Sequence, residues 1–278
     1  MASDGDHFQQ FVARGVSFAE AGRPSLVPLS TTRSRLAEDP SRPRELLQKV
    51  SVERAFGRFV LSVEYTRSED WHLLGAERAL VGAGWVDTIS ADRASNRHRV
   101  HAQTRYTWGR EHLSAHYEWM SAHDNTDGPF SFAEQAGNLA AEWAPSAGIA
   151  AHHVSVVGTF VLPGSVTVNV SQSWRSSSPY NITTGLDASG NGLLVDRGGR
   201  SRNSGEGPGY NLLSLYAYRR VTLPHSRGRL HLNVGVQADN ILDNRNYISV
   251  GSVAGSSTFG RPLAALPGRS VKVYLNVD

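Results

Sequence analysis

Histidines and a glutamate at alternate positions are the first candidates for chemistry in this sequence. His112, His116 and Glu118 are separated by even numbers of residues, so in an extended strand their side chains share one face. Imidazole and carboxylate groups gathered on one face are typical zinc ligands. His98 and His101 lie in the preceding run, but they are three residues apart and point to opposite faces. The incomplete ligand set favours a polar surface lining over a metal site.

A second candidate is an oxygen-rich loop. Asp187, Ser189 and Asn191 occupy positions 1, 3 and 5 of this loop and Gly192 occupies position 6, as in a calcium-binding loop. Position 12 requires a bidentate glutamate in such loops, and here it is Gly198. A turn in an exposed loop is therefore the favoured interpretation, and calcium binding is the alternative.

The sequence contains no motif for other catalytic or cofactor chemistry. There is no cysteine, which excludes disulfides, thiolate metal sites and a cysteine nucleophile. Hydrolase, metalloprotease and phosphate-loop motifs are also missing. The 28 Lys and Arg residues nearly balance 25 Asp and Glu, so no nucleic-acid-binding face is indicated. We predict no catalytic residue, metal ion, cofactor or nucleic-acid partner.

The candidate residues lie in segments that alternate between polar and apolar side chains. Residues 97–108 place Arg and His at alternate positions, the chain turns at Gly109, and residues 111–119 repeat the pattern. Because successive strand side chains point to opposite faces, each run has one polar and one apolar face. The two runs form a predicted hairpin. The same alternation flanks three further turns, at Gly57, at Gly164 and near Ser226. It also occurs in a ninth strand at residues 271–277.

Short and long connections alternate along the chain. Each interval between tight turns holds two strands and one connection of roughly 30 residues, whereas compact domains prefer about 4–6. The long connections are predicted at residues 67–96, 121–151, 175–210 and 242–268. Short turns at one rim and long loops at the other are typical of outer-membrane barrels.

The apolar strand faces could meet lipid or form a soluble core. A run of about 18 apolar residues is missing, which excludes a transmembrane helix, but membrane barrels use strands of about 9–11 residues. Alternating strands also build soluble sandwiches. Polar rows of Arg, His and Glu, and aromatic residues near strand ends, favour the membrane barrel. One exposed apolar band is predicted to contain Leu113, Ala115, Tyr117, Val166, Val168, Leu232, Val234 and Val273.

Three loop segments, residues 173–185, 187–197 and 202–211, match the sequence pattern of one protein family. They resemble the late barrel of TonB-dependent receptors, and more narrowly the Oar-like branch, whose members bear a carboxypeptidase regulatory domain. Further matching segments, in order over residues 45–278, are VERAFGRFVLSVEY at 52–65, HLL at 72–74, DGPF at 127–130, NLAAEW at 138–143, DNILDN at 239–244, FGRP at 259–262 and LPGR at 266–269.

Together with the strand pattern, this resemblance implies an all-β fold: an antiparallel up-and-down meander of about nine or ten strands, forming part of an outer-membrane β-barrel. Receptors of this type are barrels of about 22 strands that enclose an N-terminal plug. They take up scarce ligands with energy from the inner-membrane TonB complex. Residues 1–46 are expected to form an extracellular loop or irregular segment, and residues 47–278 the C-terminal portion of the barrel.

The sequence departs from the receptor pattern in ways that predict a fragment. No segment corresponds to the plug or to a TonB-contacting region. An odd number of strands cannot close a purely antiparallel barrel, unless Phe8–Ala13 adds a tenth. The receptors usually end in an aromatic residue, whereas this sequence ends in Val277-Asp278. We therefore expect that the polypeptide alone does not transport ligand.

The resemblance also directs attention to aromatic and basic residues on the long loops. The candidate ligand contacts are Trp71, Trp85, Tyr180, Arg200 and Tyr210. The expected ligand is an oligosaccharide or a peptide. Outer-membrane lipid and lipopolysaccharide are expected partners, helped by the basic stretch 197–202, and the TonB complex would act only through a plug. The alternative is a soluble or surface-attached all-β module that binds glycans, which would be soluble without detergent.

Overall fold

The computed structural model describes residues 9–12, 27–38, 40–82, 84–225 and 228–277. These ranges contain one 3-10 helix at Leu139–Glu142. Their strands are β1 (Gln9–Val12), β2 (Val27–Leu36), β3 (Arg44–Phe56), β4 (Phe59–Val81), β5 (Gly84–Trp108), β6 (Glu111–Asp124), β7 (Ala144–Pro145), β8 (His152–Leu162), β9 (Val166–Arg175), β10 (Pro179–Tyr180), β11 (Gly205–Glu206), β12 (Tyr210–His225), β13 (Gly228–Asp239), β14 (Tyr247–Val250), β15 (Pro262–Ala265) and β16 (Ser270–Val277). In the described part of the chain, no helix is long and apolar enough to cross a membrane.

Nine long strands form one antiparallel meander. Their order across the sheet is β3, β4, β5, β6, β8, β9, β12, β13 and β16, so each strand pairs with the next long strand in the chain. This arrangement confirms the predicted all-β meander of about nine strands.

The N-terminal strands lie to one side of this meander. β2 runs parallel to the start of β5, with Thr32 opposite Trp85, and β1 pairs with β2. Phe8 and Ala13, the ends of the predicted tenth strand, lie outside the described residues, but Gln9–Val12 between them is a strand. Because β1 pairs with β2, it does not join the two ends of the meander.

The turns predicted at Gly57, Gly109 and Gly164 lie at one edge of the sheet, because they join alternate strand pairs. Gly57, Gly109 and Gly164 have φ of 61°, 58° and 80°, the left-handed region in which a side chain is strained. The predicted turn near Ser226 lies outside the described residues. On either side of it, His225 and Gly228 form a cross-strand pair, as a hairpin requires.

The first long connection differs from the prediction, because residues 67–96 are mostly strand. β4 and β5 remain paired as far as Val81 and Gly84. Near the end of this hairpin the opposed side chains of Arg78 and Asp87 form a bidentate ion pair, with N–O distances of 2.6 and 2.9 Å. Opposite charges directly across two strands contribute to this pairing, and the hairpin continues the backbone ladder that begins at Phe59 and Tyr106.

The sheet has a continuous apolar face with no covering layer. The pairing register puts all eight residues of the predicted apolar band on the same face, and none of them is buried. Val273 in β16 is 73% exposed. Within the described ranges, the buried hydrophobic side chains are five alanines, so no packed apolar core lies against this face.

Buried side chains in the structure are instead largely polar and charged. Arg93, Glu142, Arg197, Arg202 and Asn203 are each at most 3% exposed. Large charged groups are rarely buried unless they are paired. Except for Arg93, these residues lie beyond the ends of the strands, where the long loops meet.

The two ends of the meander are unpaired in the described part of the chain. β3 pairs only with β4, and β16 pairs only with β13. Every residue of β3 is exposed. The nine strands therefore form an open sheet whose two edges present free backbone donors and acceptors.

Candidate functional site

Three long loops meet at the edge of the sheet opposite the tight turns. They are loop 1 (residues 125–151), loop 2 (176–209) and loop 3 (240–269). Loops 1 and 2 exchange backbone hydrogen bonds, such as that from Gly148 N to Pro179 O at 2.9 Å. Loops 2 and 3 are joined by hydrogen bonds between Thr183 and Ser252 and between Ala254 and Thr183. The loops thus form one layer of backbone over the strand ends.

A buried ion cluster joins loop 1 to loop 2. Arg197 donates hydrogen bonds to both carboxylate oxygens of Glu142, each at 2.8 Å, and its Nη2 lies 3.0 Å from Glu134 Oε2. The backbone N–H of Arg197 also donates to Glu134 at 2.7 Å. One guanidinium therefore faces two carboxylates from the other loop.

Arg202 ties loop 2 to the end of β6. Its Nη2 donates to Asp124 and to Asp127 at 2.6 Å each, and its Nη1 donates to two backbone carbonyls, those of Asp124 and Glu142. Burial alone would lower the pKa of the Arg202 guanidinium, but the hydrogen bonds to the two aspartates outweigh it and the pKa is raised. The guanidinium of Arg202 therefore stays charged and joins loop 2 to loop 1 and to the end of β6.

Two cavities lie beside this cluster and share Asn203. The first, of about 420 Å³, has an apolar wall that includes Trp119, Met120 and Ile149. The second, of about 410 Å³, is lined by residues that include Arg175 at the end of β9 and Tyr180. Both volumes are in the range of small-molecule sites.

Two residues that line the second cavity each carry a buried polar atom without a hydrogen-bond partner. They are Arg175, at Nε, and Asn203, at Oδ1, and both atoms are covered by the protein. The guanidinium of Arg175 lies over the ring of Tyr210, 4.9 Å from its centroid. In the described residues, Arg175 has no carboxylate within ion-pair distance.

Glycines bring the end of loop 2 close to Arg175 and Tyr180, two residues that line this cavity. A Cβ on Gly209 would lie 2.5 Å from the carbonyl oxygen of Arg175, and a Cβ on Gly205 would lie 2.6 Å from the ring of Tyr180. These approaches leave no room for a larger residue. The sequence Gly-Glu-Gly-Pro-Gly at 205–209 therefore lets the end of loop 2 run against the segment 175–180.

The five predicted ligand contacts are not brought together at one point. Tyr180 lines the second cavity, and Tyr210 contacts its Arg175. Arg200 lies on the far side of the ion cluster and donates to the carbonyl of Arg197. The remaining two, Trp71 and Trp85, lie on the extended β4–β5 hairpin, with Trp85 close to Gly192 of loop 2.

The residues proposed as zinc or calcium ligands make contacts with other groups of the protein. The ring of His101 stacks on that of His116, and Glu118 forms an ion pair with Arg99. In the described part of the chain, no group of three or more His, Asp or Glu side chains is placed to hold a metal ion. The carboxylate of Asp187 accepts two backbone N–H groups of its own loop, those of residues 191 and 192, as in a turn.

Sequence reasoning did not identify Arg175, Asn203 or Glu142. No spacing rule joins Glu142 to Arg197, since 55 residues separate them. The glycine-rich stretch 205–209 was the available signal, because alternate glycines indicate a close backbone approach. The partner of that approach depends on the fold.

The fold is similar to that of two outer-membrane proteins of known structure. The outer membrane transporter YddB from Escherichia coli aligns with a TM-score of 0.62 and 11% identity, over 91% of this chain and 34% of that chain. The FrpB iron transporter from Neisseria meningitidis (F3-3 variant) aligns with a TM-score of 0.56 and 12% identity, over 89% of this chain and 33% of that chain. The sequence matches no protein-family profile and no curated protein. The described strands thus have the fold of part of an outer-membrane transporter barrel, and the chain spans about a third of the length of these two proteins.

Proposed function

We propose that this chain is a barrel segment of an outer-membrane receptor that takes up ligand with energy from TonB, of the Oar-like branch. The observation that carries the proposal is the distribution of its side chains. Apolar residues form one uncovered face of the sheet, and most of the buried polar and charged residues lie in the long loops. An exposed apolar face of this extent marks a surface that contacts lipid or a partner.

The receptor proposal extends to strands that complete the barrel. The open edges of β3 and β16 would each leave unpaired N–H and C=O groups in lipid, at a cost of several kcal/mol per group. Pairing with further strands removes this cost. The chain spans about a third of the transporters it resembles. We therefore propose that residues 47–278 form the C-terminal part of a larger barrel, with residues 1–46 at its outer surface and a plug inside.

Ligand and lipid contacts are assigned to the loop end. Trp71, Trp85, Tyr180, Arg200 and Tyr210 are proposed to face the medium and to contact an oligosaccharide or peptide. Arg200 is exposed and belongs to the basic stretch 197–202, which is proposed to meet lipopolysaccharide phosphates. The proposal includes no catalytic step.

Membrane association is tested by expressing the full chain with a signal peptide and fractionating the cells. We expect the protein in the outer-membrane fraction and soluble only with detergent. A chain that stays soluble without detergent would overturn the membrane proposal and favour a soluble or surface-attached glycan-binding module.

Transport by the chain alone is a separate question. Residues 1–278 are expressed in a bacterium that lacks its own receptors, and accumulation of labelled oligosaccharides and peptides is measured with and without TonB. We expect no TonB-dependent accumulation, because the described residues form an open sheet. Accumulation that requires TonB would show that the chain is a transporter by itself.

A further inference from the structure

One edge of β5 is not covered by β6 over its outer half. β6 pairs with β5 from Ser95 to Trp108, which leaves residues 84–93 of this edge to another partner. In this structure the partner is β2, which runs parallel to β5 with Thr32 opposite Trp85 and Leu36 opposite Ile89. A row of N–H and C=O groups at a strand edge is a template for pairing with any extended chain.

The contacts of β2 with β5 are largely those of its backbone. The N–H of Ala37 continues the ladder and donates to the carbonyl of Ile89 at 2.9 Å. Residues 33–36 are exposed, and Leu36 is 62% exposed. Parallel pairing is also slightly less stable per residue than antiparallel pairing. Since backbone pairing does not require particular side chains, a different extended segment can take the place of β2.

We propose that residues 85–89 of β5 form an acceptor edge for an extended peptide of another molecule, and that β2 occupies this edge as such a peptide would. In strand addition the main-chain hydrogen bonds supply affinity, and contacts with alternate side chains supply selectivity. The inference goes beyond the proposed receptor function, because this edge is present whether or not the sheet lies in a membrane.

The register of β2 indicates the kind of peptide that fits. The Nε of Arg35 donates to the hydroxyl of Thr88 at 3.2 Å, so a basic side chain is favoured at that position. One position later, Leu36 lies opposite Ile89, where an aliphatic side chain is favoured. The ligand is therefore a short basic peptide in an extended conformation, whose N–H groups are free at every second residue.

The backbone donors that hold β2 follow from the hydrogen bond of Ala37. Because N–H groups two residues apart in a strand point to the same neighbour, the N–H groups of Arg33 and Arg35 also point toward β5. Those of Ser34 and Leu36 point away from it. A proline at position 33 or 35 would remove a ladder donor, whereas one at position 34 or 36 would not.

The acceptor groups of β5 can be followed by hydrogen exchange. The carbonyl of Ile89 points toward β2, and the N–H of the same residue points the same way. The N–H of Asp87, two residues earlier, also faces β2. Slow exchange of these two amides therefore reports that the edge is occupied.

The first step of the test vacates the edge in the full chain, in detergent micelles. Arg33→Pro/Arg35→Pro removes two ladder donors, and the matched control Ser34→Pro/Leu36→Pro keeps them. We expect the amides of Asp87 and Ile89 to exchange at least about tenfold faster in the first variant, as for loss of a hydrogen bond. In the control they should exchange as in the unaltered chain.

The second step adds fluorescent peptides and measures anisotropy. The probes are STTRSRLA, which is residues 30–37 of this chain, and VTKTKVT, an unrelated basic sequence. Both should bind Arg33→Pro/Arg35→Pro at least about tenfold more tightly than the unaltered chain, where tethered β2 competes at a high effective concentration. Binding should slow the exchange of Asp87 and Ile89 again. N-methylation of STTRSRLA at its two arginines should weaken binding about tenfold, and N-methylation at its second serine and its leucine should not.

Four results would overturn the proposal. Unchanged exchange of Asp87 and Ile89 in Arg33→Pro/Arg35→Pro would show that the ladder does not hold β2. Faster exchange without peptide binding would show that the vacated edge accepts no peptide. Equal binding of the two N-methylated peptides would place the peptide elsewhere. Binding of STTRSRLA without binding of VTKTKVT would restrict the edge to the chain's own segment.

Discussion

Arg197 and Glu142 form a bidentate ion pair between two loops that are far apart in the sequence. Both N–O distances are 2.8 Å, and each side chain is 4% exposed. A buried ion pair of this kind adds little stability relative to an apolar pair, but it is costly to break, since one charge is left buried. Its role in this protein is to select one arrangement of loop 1 against loop 2.

Glu142→Gln is expected to loosen these loops without unfolding the sheet. The substitution leaves Arg197 with Glu134 as its remaining carboxylate. We expect a local destabilisation of about 3 kcal/mol, the lower end for a broken buried pair. Hydrogen exchange at residues 134–142 and 197–203 should quicken, with little change in β8 and β9. Arg269→Gln is the control, because its pair with Asp243 is exposed and 3.8 Å long. Equal exchange in both variants would contradict the assigned role.

The two faces of β9 should respond differently to a new charge. Val168 lies on the apolar face, and Ser171, three residues further on, lies on the opposite face. An arginine facing lipid near the middle of a bilayer costs about 2–4 kcal/mol. Val168→Arg should lower the free energy of unfolding in liposomes by about this amount, and Ser171→Arg should change it by less than about 1 kcal/mol. If Ser171→Arg proves the more costly substitution, the apolar face is not the lipid face.

Gly209→Ala should displace the backbone of Arg175, a residue that lines the second cavity. The added methyl group would meet the carbonyl oxygen of Arg175 at 2.5 Å, so one of the two backbones must move. We expect a loss of about 1–3 kcal/mol from overpacking. The Gly268→Ala control has its nearest contact at 3.6 Å and should be nearly neutral. Urea unfolding of the two variants in micelles measures the difference, and equal midpoints would be evidence against a tight approach at Gly209.

The hydrogen bonds from Arg202 to Asp124 and Asp127 should not depend on pH in the neutral and alkaline range. Burial opposes its charge, but hydrogen bonds to Asp127 and Asp124 outweigh burial and raise its pKa. A group with a raised pKa contributes stability that is fully present below its unfolded pKa and is lost only as the pH passes the folded value. Protease resistance of loops 1 and 2 should therefore be equal at pH 7 and pH 10, measured with a protease active at both. A loss of protease resistance at pH 10 would mean that a group other than Arg202 keeps loops 1 and 2 in contact.

The strands could be predicted because their pattern is local. Alternation in 97–108 and 111–119 predicts β5 and β6, and the glycine between them predicts the turn. The prediction failed at residues 67–96, which form an extended hairpin. The pairing of Arg78 with Asp87 across that hairpin depends on register, and register follows from the whole ladder between Phe59 and Trp108.

The candidate site was predicted only in part. Tyr180 and Tyr210 were identified as aromatic loop residues, and both lie at the second cavity or against its Arg175. Arg175 was assigned to the start of a long connection, and Asn203 was part of a matching segment without a role. Their unpaired atoms depend on which neighbours they meet, and no residue type or spacing gives that information.

The sequence by itself determined the nine long strands of the meander outside residues 67–96, their neighbour pairing and the division into an apolar and a polar face, because side-chain direction in a strand has a period of two. Only the tertiary structure decided which loops meet. Arg197 reaches Glu142 across 55 residues, and Arg202 reaches Asp124 across 78. These contacts exist because the paired strands bring the loop ends to one edge of the sheet, where buried charges must find partners or remain unsatisfied.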